Sequence, residues 1–562
     1  MFVKSGWRTY KGKRYYHHHL AESYRDPENG GVRTRRLLNV SVLPPHAIEA
    51  LKQSLRSGKA TFGVDSVQVQ TGDALRGAGL VAITWAWQRE GMPQVLAGIT
   101  EAERKSTLAM VAQRILQPGS KLSLKEEFAS TVLAQSVSHK RLDEDELYRV
   151  MDVLHEQFYT IQERLRARRR ATPVLCLYDI TSTYFEGTEA EDGKYGHSRD
   201  KRWDRHQIVI GLVCDEEGVP LAIEVWPGNT ADRSTVAERV TALKGRFGIE
   251  HAIFVGDAGM YSEANIEKLE KFGFDYILAT EWHTQRQQLE ALTPGQLELF
   301  DQHGVAEWED DGVRYVGCVS ELKQARAARR REQGMQRARE KLTALANSAA
   351  RRRRYSWVRL REKADGIVED AGVAGLWDVT IAFAPGEEGS PEKRQRLCLS
   401  FEPNKEAIAC CAALEGKYVL CTSLPATGYP PAMVDRQYRH LQLAERAFRH
   451  IKSYLKLRPI FHYLRRRIRA HVLICFLGYY LVKRMELELR AAGETSEVER
   501  LLRHWDNLCL VQHRVQVGEY MREQWQWSLG ENGQGIQVQL QTLGWWHAVD
   551  AYRRRLEKGL AA

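Results

Sequence analysis

Residues 173–185 read PVLCLYDITSTYF, and residues 206–228 read HQIVIGLVCDEEGVPLAIEVWPG. The first is a short β-rich run. The second is a pair of apolar runs around DEEG, the pattern of a hairpin. RSTVAERVTALKGRFG at 233–248 has the spacing of an amphipathic helix closed by glycine. HAIFVGDAGM at 251–260 reads as a buried strand, SEANIEKLEKFG at 262–273 as a serine-capped helix, and FDYILATEW at 274–282 as another strand. The order is strand, hairpin, helix, strand, helix, strand. It predicts three antiparallel strands followed by parallel strands alternating with helices.

That is the order of a ribonuclease H-like core, so the expected class is α/β. On either side of 171–284 the pattern changes. Residues 1–60 predict a β-hairpin unit, with RYYHHHLAESYR and VRTRRLLNVSVL flanking the turn signal DPENGG. Residues 61–170 read as a helical, DNA-binding region. The rhythm breaks over 285–425, where short strand candidates surround a basic, alanine-rich helix near 320–355, so an inserted β-rich and helical domain is expected there. The core resumes over 426–490 with one long helix, AMVDRQYRHLQLAERAFRHIKSYLKL from Ala432, and a second, LRRRIRAHVLICFLGYYLVKRMELELR from Leu464. A mixed C-terminal region, 491–562, carries five tryptophans and no motif.

Charge is concentrated in the insertion. The window Lys323–Arg354 holds twelve Lys and Arg against Glu332 and Glu340, which equals the net charge of +10 for all 562 residues. A polyanionic partner is the expectation, with Arg329, Arg330, Arg331, Arg351, Arg352 and Arg353 as phosphate contacts. Further arginine clusters stand at 164–170 and 465–469. The nine cysteines include no C-x-x-C pair, which argues against a zinc ribbon, and their odd number fits a reducing, cytoplasmic setting. Val472–Val482 is apolar but too short for the ~20 residues that span a bilayer, so a buried helix and no membrane are expected.

Three carboxylates stand out. Asp179 and Asp257 are read at the ends of neighbouring strands, where two carboxylates repel unless a cation sits between them. Mg²⁺ takes oxygen ligands of this kind together with phosphate oxygens. Either residue alone is also ordinary turn chemistry. On a helical wheel at about 100° per residue, Tyr438, Leu441, Glu445, Arg449 and Lys452 fall on one stripe, with Ala447, Ile451 and Leu455 away from it. An i,i+4 pair of Glu445 with Arg449 is the plain alternative.

Together, YDITSTYFEG, GLVCDEEGVPLAIEVWPGNTAD, GDAGMYSEANI and YRHLQLAERAFRHIK resemble the DDE transposases of bacterial insertion sequences, in the cut-and-paste group with a β-rich insertion. That group carries a Tyr-x2-Arg-x3-Glu-x6-Lys signature. Tyr438, Glu445 and Lys452 fit its spacing, and Leu441 stands where the signature has Arg. The separations agree: 78 residues from Asp179 to Asp257, and 188 from Asp257 to Glu445, room for the insertion. The resemblance implies a nucleoid-associated enzyme. Asp179, Asp257 and Glu445 would bind two Mg²⁺ (or Mn²⁺) and drive cleavage at transposon ends and joining to target DNA. Tyr438, Arg439, Arg449 and Lys452 would grip DNA. The implied partners are double-stranded DNA with terminal inverted repeats, target DNA, and a second copy in a synaptic homodimer. Trp282 and Trp357 are candidates, by location, for holding a flipped base. A host nuclease or resolvase on the same fold, or a non-catalytic DNA-binding relative, is the alternative.

Overall fold

The computed structural model describes residues 1–557 except 11–12, 27–29, 58–66, 137–141, 169–174, most of 232–251, most of 282–303, 352–353, 386–390, 518–519 and 529–530. The helix expected over 233–248 and Trp282 therefore fall largely or wholly outside the described residues.

The architecture is mixed α/β. Strands β1 (Phe2–Tyr10), β2 (Lys13–Arg25) and β3 (Val32–Asn39) form an antiparallel sheet, so the expected hairpin gains a third strand at its outer edge. Strand β4 (Val67–Arg76), not expected from the sequence, opens the helical region. It pairs with β15 (Cys509–Val517), which pairs in turn with β16 (Tyr520–Trp527). The C-terminal region thus returns to the N-terminal one.

The central sheet begins with β5 (Leu175–Tyr184), β6 (Gln207–Cys214) and β7 (Pro220–Pro227), all antiparallel and almost wholly buried. β8 (Ile253–Gly256) runs parallel to β5 on its other side, and β9 (Asp275–Ala279) runs parallel to β8. This is the strand order expected from the sequence.

The 285–425 segment departs from expectation. Its strands β10 (Val305–Asp310), β11 (Val313–Val319) and β14 (Lys417–Thr422) continue the central sheet beyond β9, all antiparallel, giving eight strands in the order β10-β11-β14-β9-β8-β5-β6-β7. The physical reason is the open edge of β9: its unpaired amides and carbonyls need a partner, and β14 supplies it. Only the part between them stands apart. There the helices Glu321–Arg351 and Trp357–Asp370 pack on the ribbon of β12 (Trp377–Phe383) and β13 (Leu397–Pro403) around a core of their own. Gly334, Ala338, Leu342, Leu345 and Ala349 form the buried stripe of the long helix. Trp357 belongs to this core, and its indole N–H donates to Ile381 O at 3.2 Å.

Three further helices cover one face of the central sheet. Arg465–Ala491 buries the whole of Val472–Val482, as its apolar run implied. The expected single helix from Ala432 is in fact two, Pro431–Arg439 and Leu441–Ser453. At the break the ladder tightens: His440 N bonds Gln437 O, and Leu443 N bonds His440 O. Among the described residues no helix is long and apolar enough to cross a membrane.

Candidate active site

β5 and β8 are in register, with Leu177 opposite Val255. Asp179 and Asp257 each stand two residues further along. Asp179 therefore lies inside β5, not at its end, but just past the stretch that β8 covers. Side chains alternate along a strand, so Asp179 faces the same way as Leu175 and Leu177. Those two residues share a core with Ala444, Ala447, Phe448 and Ile451 of the Leu441–Ser453 helix. Glu445 comes from that same helix.

Asp257 and Glu445 both act on Asp179. Burial is the first cause that pushes the Asp179 carboxyl up to about 7, and the charges of Asp257 and Glu445 add to it, while Arg199 opposes. The Ile180 amide donates to Asp179 Oδ1 at 2.8 Å. Asp257 begins the 3-10 turn Ala258–Met260, and its Oδ1 accepts from Gly259 N at 3.1 Å. Gly256, just before it, is required by packing: a Cβ there would sit 2.8 Å from Met260 Sδ. Glu445 is exposed and makes no ion pair with Arg449, so the plain salt-bridge alternative is not what the structure has.

An oxygen-only donor set in which one carboxyl is driven toward neutrality suits a hard divalent cation such as Mg²⁺. Among the described residues, however, no three His, Cys, Asp or Glu side chains stand in a closed metal-ligating group. The carboxylates are gathered at one place without being drawn into a ligand shell.

The remaining sequence candidates divide. Tyr438 is half-buried in the site, and burial, then Asp257 and Glu445, push its phenol up. Leu441 is not on a polar stripe: it is buried in the core, because the break at His440 turns it inward. Arg439 is held by Asp435 at 2.7 Å and by Val319 O at 2.9 Å. Lys452 is buried and its Nζ lies 2.9 Å from Asp200 Oδ1. Arg449 is exposed. On the basic helix, Arg329, Arg330 and Arg351 are exposed, whereas Arg331 is bonded to Glu415 at 2.8 Å. Arg352 and Arg353 lie outside the described residues. In the 465–469 cluster, Arg465 pairs with Asp192, Arg466 and Arg467 with Asp152, and Arg469 with Glu224.

Sequence reasoning missed three residues here. Lys323 sits at the start of the basic helix with its Nζ 4.4 Å from the centre of the Tyr418 ring; burial lowers its ammonium and Glu445 opposes that shift. Arg199 and Asp200 lie between β5 and β6 and act on Asp179 and Lys452. Only the tertiary fold brings them in. A cleft of about 1100 Å³ runs from Asp257 and Tyr438 to the basic helix, where Lys323, Arg326 and Arg330 line it.

The model of a transposase DDE domain matches residues 170–481, more than half of the chain and all three carboxylates. The chain belongs to the DDE transposase family. It is a DNA transposase of mixed α/β fold, and the matched stretch runs from just before β5 into the Arg465–Ala491 helix. No curated protein matches this transposase. Among solved structures it is similar to a piggyBac transposase, from a cryo-EM synaptic complex with hairpin DNA, at 9% identity over 76% of each chain and a TM-score of 0.37. A likeness that slight has no bearing on mechanism.

Proposed function

We propose that this transposase cuts DNA at the ends of a mobile element and joins them to target DNA by divalent-metal phosphoryl transfer at Asp179, Asp257 and Glu445, on a ribonuclease H-like core. The observation that carries the reading is the convergence on Asp179 of β5 of two further carboxylates, Asp257 from the end of β8 and Glu445 from the Leu441–Ser453 helix, whose charges act on it. Asp179, Asp257 and Glu445 would hold Mg²⁺, or Mn²⁺ in its place, and the bound ion would supply Lewis-acid stabilisation to a reacting phosphodiester. The protein's part is to hold acids and phosphates in place. Asp179 is fixed by the strand, Asp257 by its turn, and Glu445 projects to the solvent side where DNA has access. Tyr438 and Lys323 flank these acids, and Arg326 and Arg330 extend a cationic wall along the cleft, suited to a phosphate backbone.

The spacing of Tyr438, Glu445 and Lys452 supports the insertion-sequence group of the family, with two inverted-repeat ends held by a homodimer. Lys452 and Arg439 serve that reading as positioning residues, since each is already bonded to a carboxylate. Asp257→Ala is expected to abolish cleavage of an end-containing duplex while binding of that duplex stays within a few-fold of wild type. A variant that still cuts removes Asp257 from the chemistry.

A further inference from the structure

Outside the carboxylate site, a second pocket of about 300 Å³ lies between the N-terminal helices and the segment that follows the Leu441–Ser453 helix. That volume is at the small end of ligand sites. Its walls are the last turn of helix Glu101–Leu116, the first turn of helix Lys121–Phe128, residues 456–462, and His471 of helix Arg465–Ala491.

Its chemistry is one-sided. Arg114 is 7% exposed and Lys121 3% exposed. Arg114 Nη1 reaches Lys456 O at 3.4 Å, but its buried Nε has no partner. The Lys121 ammonium has no hydrogen bond or ion pair to any described residue. His471 Nε2 meets Leu457 O at 3.3 Å, while its Nδ1 is buried and unpartnered. Lys456, Arg458 and His462 also line it.

Among the described residues, no carboxylate lines this pocket. Asp200 is held by Lys452 and Arg458, and Glu144 acts on Tyr148 at the wall. The Cys475 thiol beneath is pushed up by burial and so stays uncharged. Burial and Arg114 lower the Lys121 ammonium to about 7, and burial, then Arg114, drive His471 well below its usual range. Lysine and histidine can shed their charge in this way, but a guanidinium cannot. A buried, unpaired guanidinium is costly unless something negative meets it.

We propose that this pocket binds a phosphate group on Arg114 and Lys121, at the N-terminus of helix Lys121–Phe128, the group coming either from a DNA backbone or from a free phosphate ion. The helix end adds amides and a favourable dipole for an anion, and Ser120 caps it through Ser123 N. The site is separate from the carboxylates and does not depend on their metal. It ties the N-terminal helices to the chain leaving the Glu445 helix.

The test is calorimetric titration of the full chain with inorganic phosphate at near-physiological salt, repeated on Lys121→Met and on Lys456→Gly. Lys456 has φ +46, which glycine adopts without strain, so the second variant keeps the fold even if the first does not. One saturable site per chain is expected in wild type. Lys456→Gly is expected to weaken it several-fold, and Lys121→Met to lose it. A duplex oligonucleotide that competes with phosphate, together with a salt slope about 0.9 shallower in Lys121→Met, identifies a DNA phosphate as the occupant. Independent binding of duplex and phosphate identifies the free ion. No saturable phosphate site in wild type, or equal affinity in wild type and both variants, overturns the proposal.

Discussion

Asp179 and Lys121 show what burial does to a single charge. Burial lifts the Asp179 carboxyl and lowers the Lys121 ammonium, both to about 7. For Lys121 the consequence for stability can be worked out. Its folded value lies below the unfolded value near 10.5, so between about pH 7 and pH 10 the unfolded chain holds more protons and stability rises with pH. The contribution is least below pH 7, where the folded chain must carry the buried charge. Without phosphate, the stability difference between wild type and Lys121→Met is expected to shift in favour of wild type by up to about 1.4 kcal/mol per pH unit across that window, read from denaturant melts. A pH-independent difference removes the buried, unpaired lysine. At this scale the sequence was informative about the acids, because Asp179, Asp257 and Glu445 carry a recognisable spacing. It was silent about Lys121, Lys323 and Asp200, whose environment comes from elements distant in the chain.

Among the elements, the basic helix was legible from composition, and its span Glu321–Arg351 falls within the expected 320–355. What composition did not give was which cations are free. Arg331 is locked to Glu415, whose side chain is 8% exposed, while Arg329, Arg330 and Arg351 face solvent. The two sets should behave differently. Changing Arg329, Arg330 and Arg351 together to Ala is expected to flatten the log K against log salt slope by roughly 2–3, with an equal fall for end and random DNA, because phosphate contacts carry no direct sequence information. Arg331→Ala is instead expected to cost about 1–3 kcal/mol of stability by leaving a buried acid unpaired, visible as a lowered Tm. An unchanged salt slope in the triple variant returns the helix to a solvated surface. The break at His440 and the joining of β10, β11 and β14 to the central sheet were not legible. Helical periodicity continues through a tightened turn, and a strand's sequence does not name its edge partner.

Across the whole molecule, the tail closes on the beginning. β15 pairs with β4, and Trp545 packs against Trp85 at 5.0 Å and Trp505 at 5.7 Å between ring centroids. The helix Ala78–Arg89 crosses the tail so closely that a Cβ on Gly79 would lie 2.1 Å from Leu502 O. Gly79→Ala is therefore expected to destabilise the protein by about 1–3 kcal/mol through overpacking, measurable as a lowered urea midpoint; an unchanged midpoint shows that this crossing is looser than drawn. The five tail tryptophans carried no motif and did not point to this partner, since pairing across more than 400 residues leaves no local pattern.

The central claim is that Asp179, Asp257 and Glu445 together make the reaction depend on a divalent cation. The direct measurement is cleavage of a duplex taken from the DNA that flanks the coding region, by wild type, Asp179→Asn and Glu445→Gln, in Mg²⁺ and in EDTA, with binding of the same duplex followed in parallel. The expected result is cutting by wild type in Mg²⁺ only, no cutting by either variant, and comparable binding by all three. Cutting in EDTA, or by either variant at a rate near that of wild type, would contradict it.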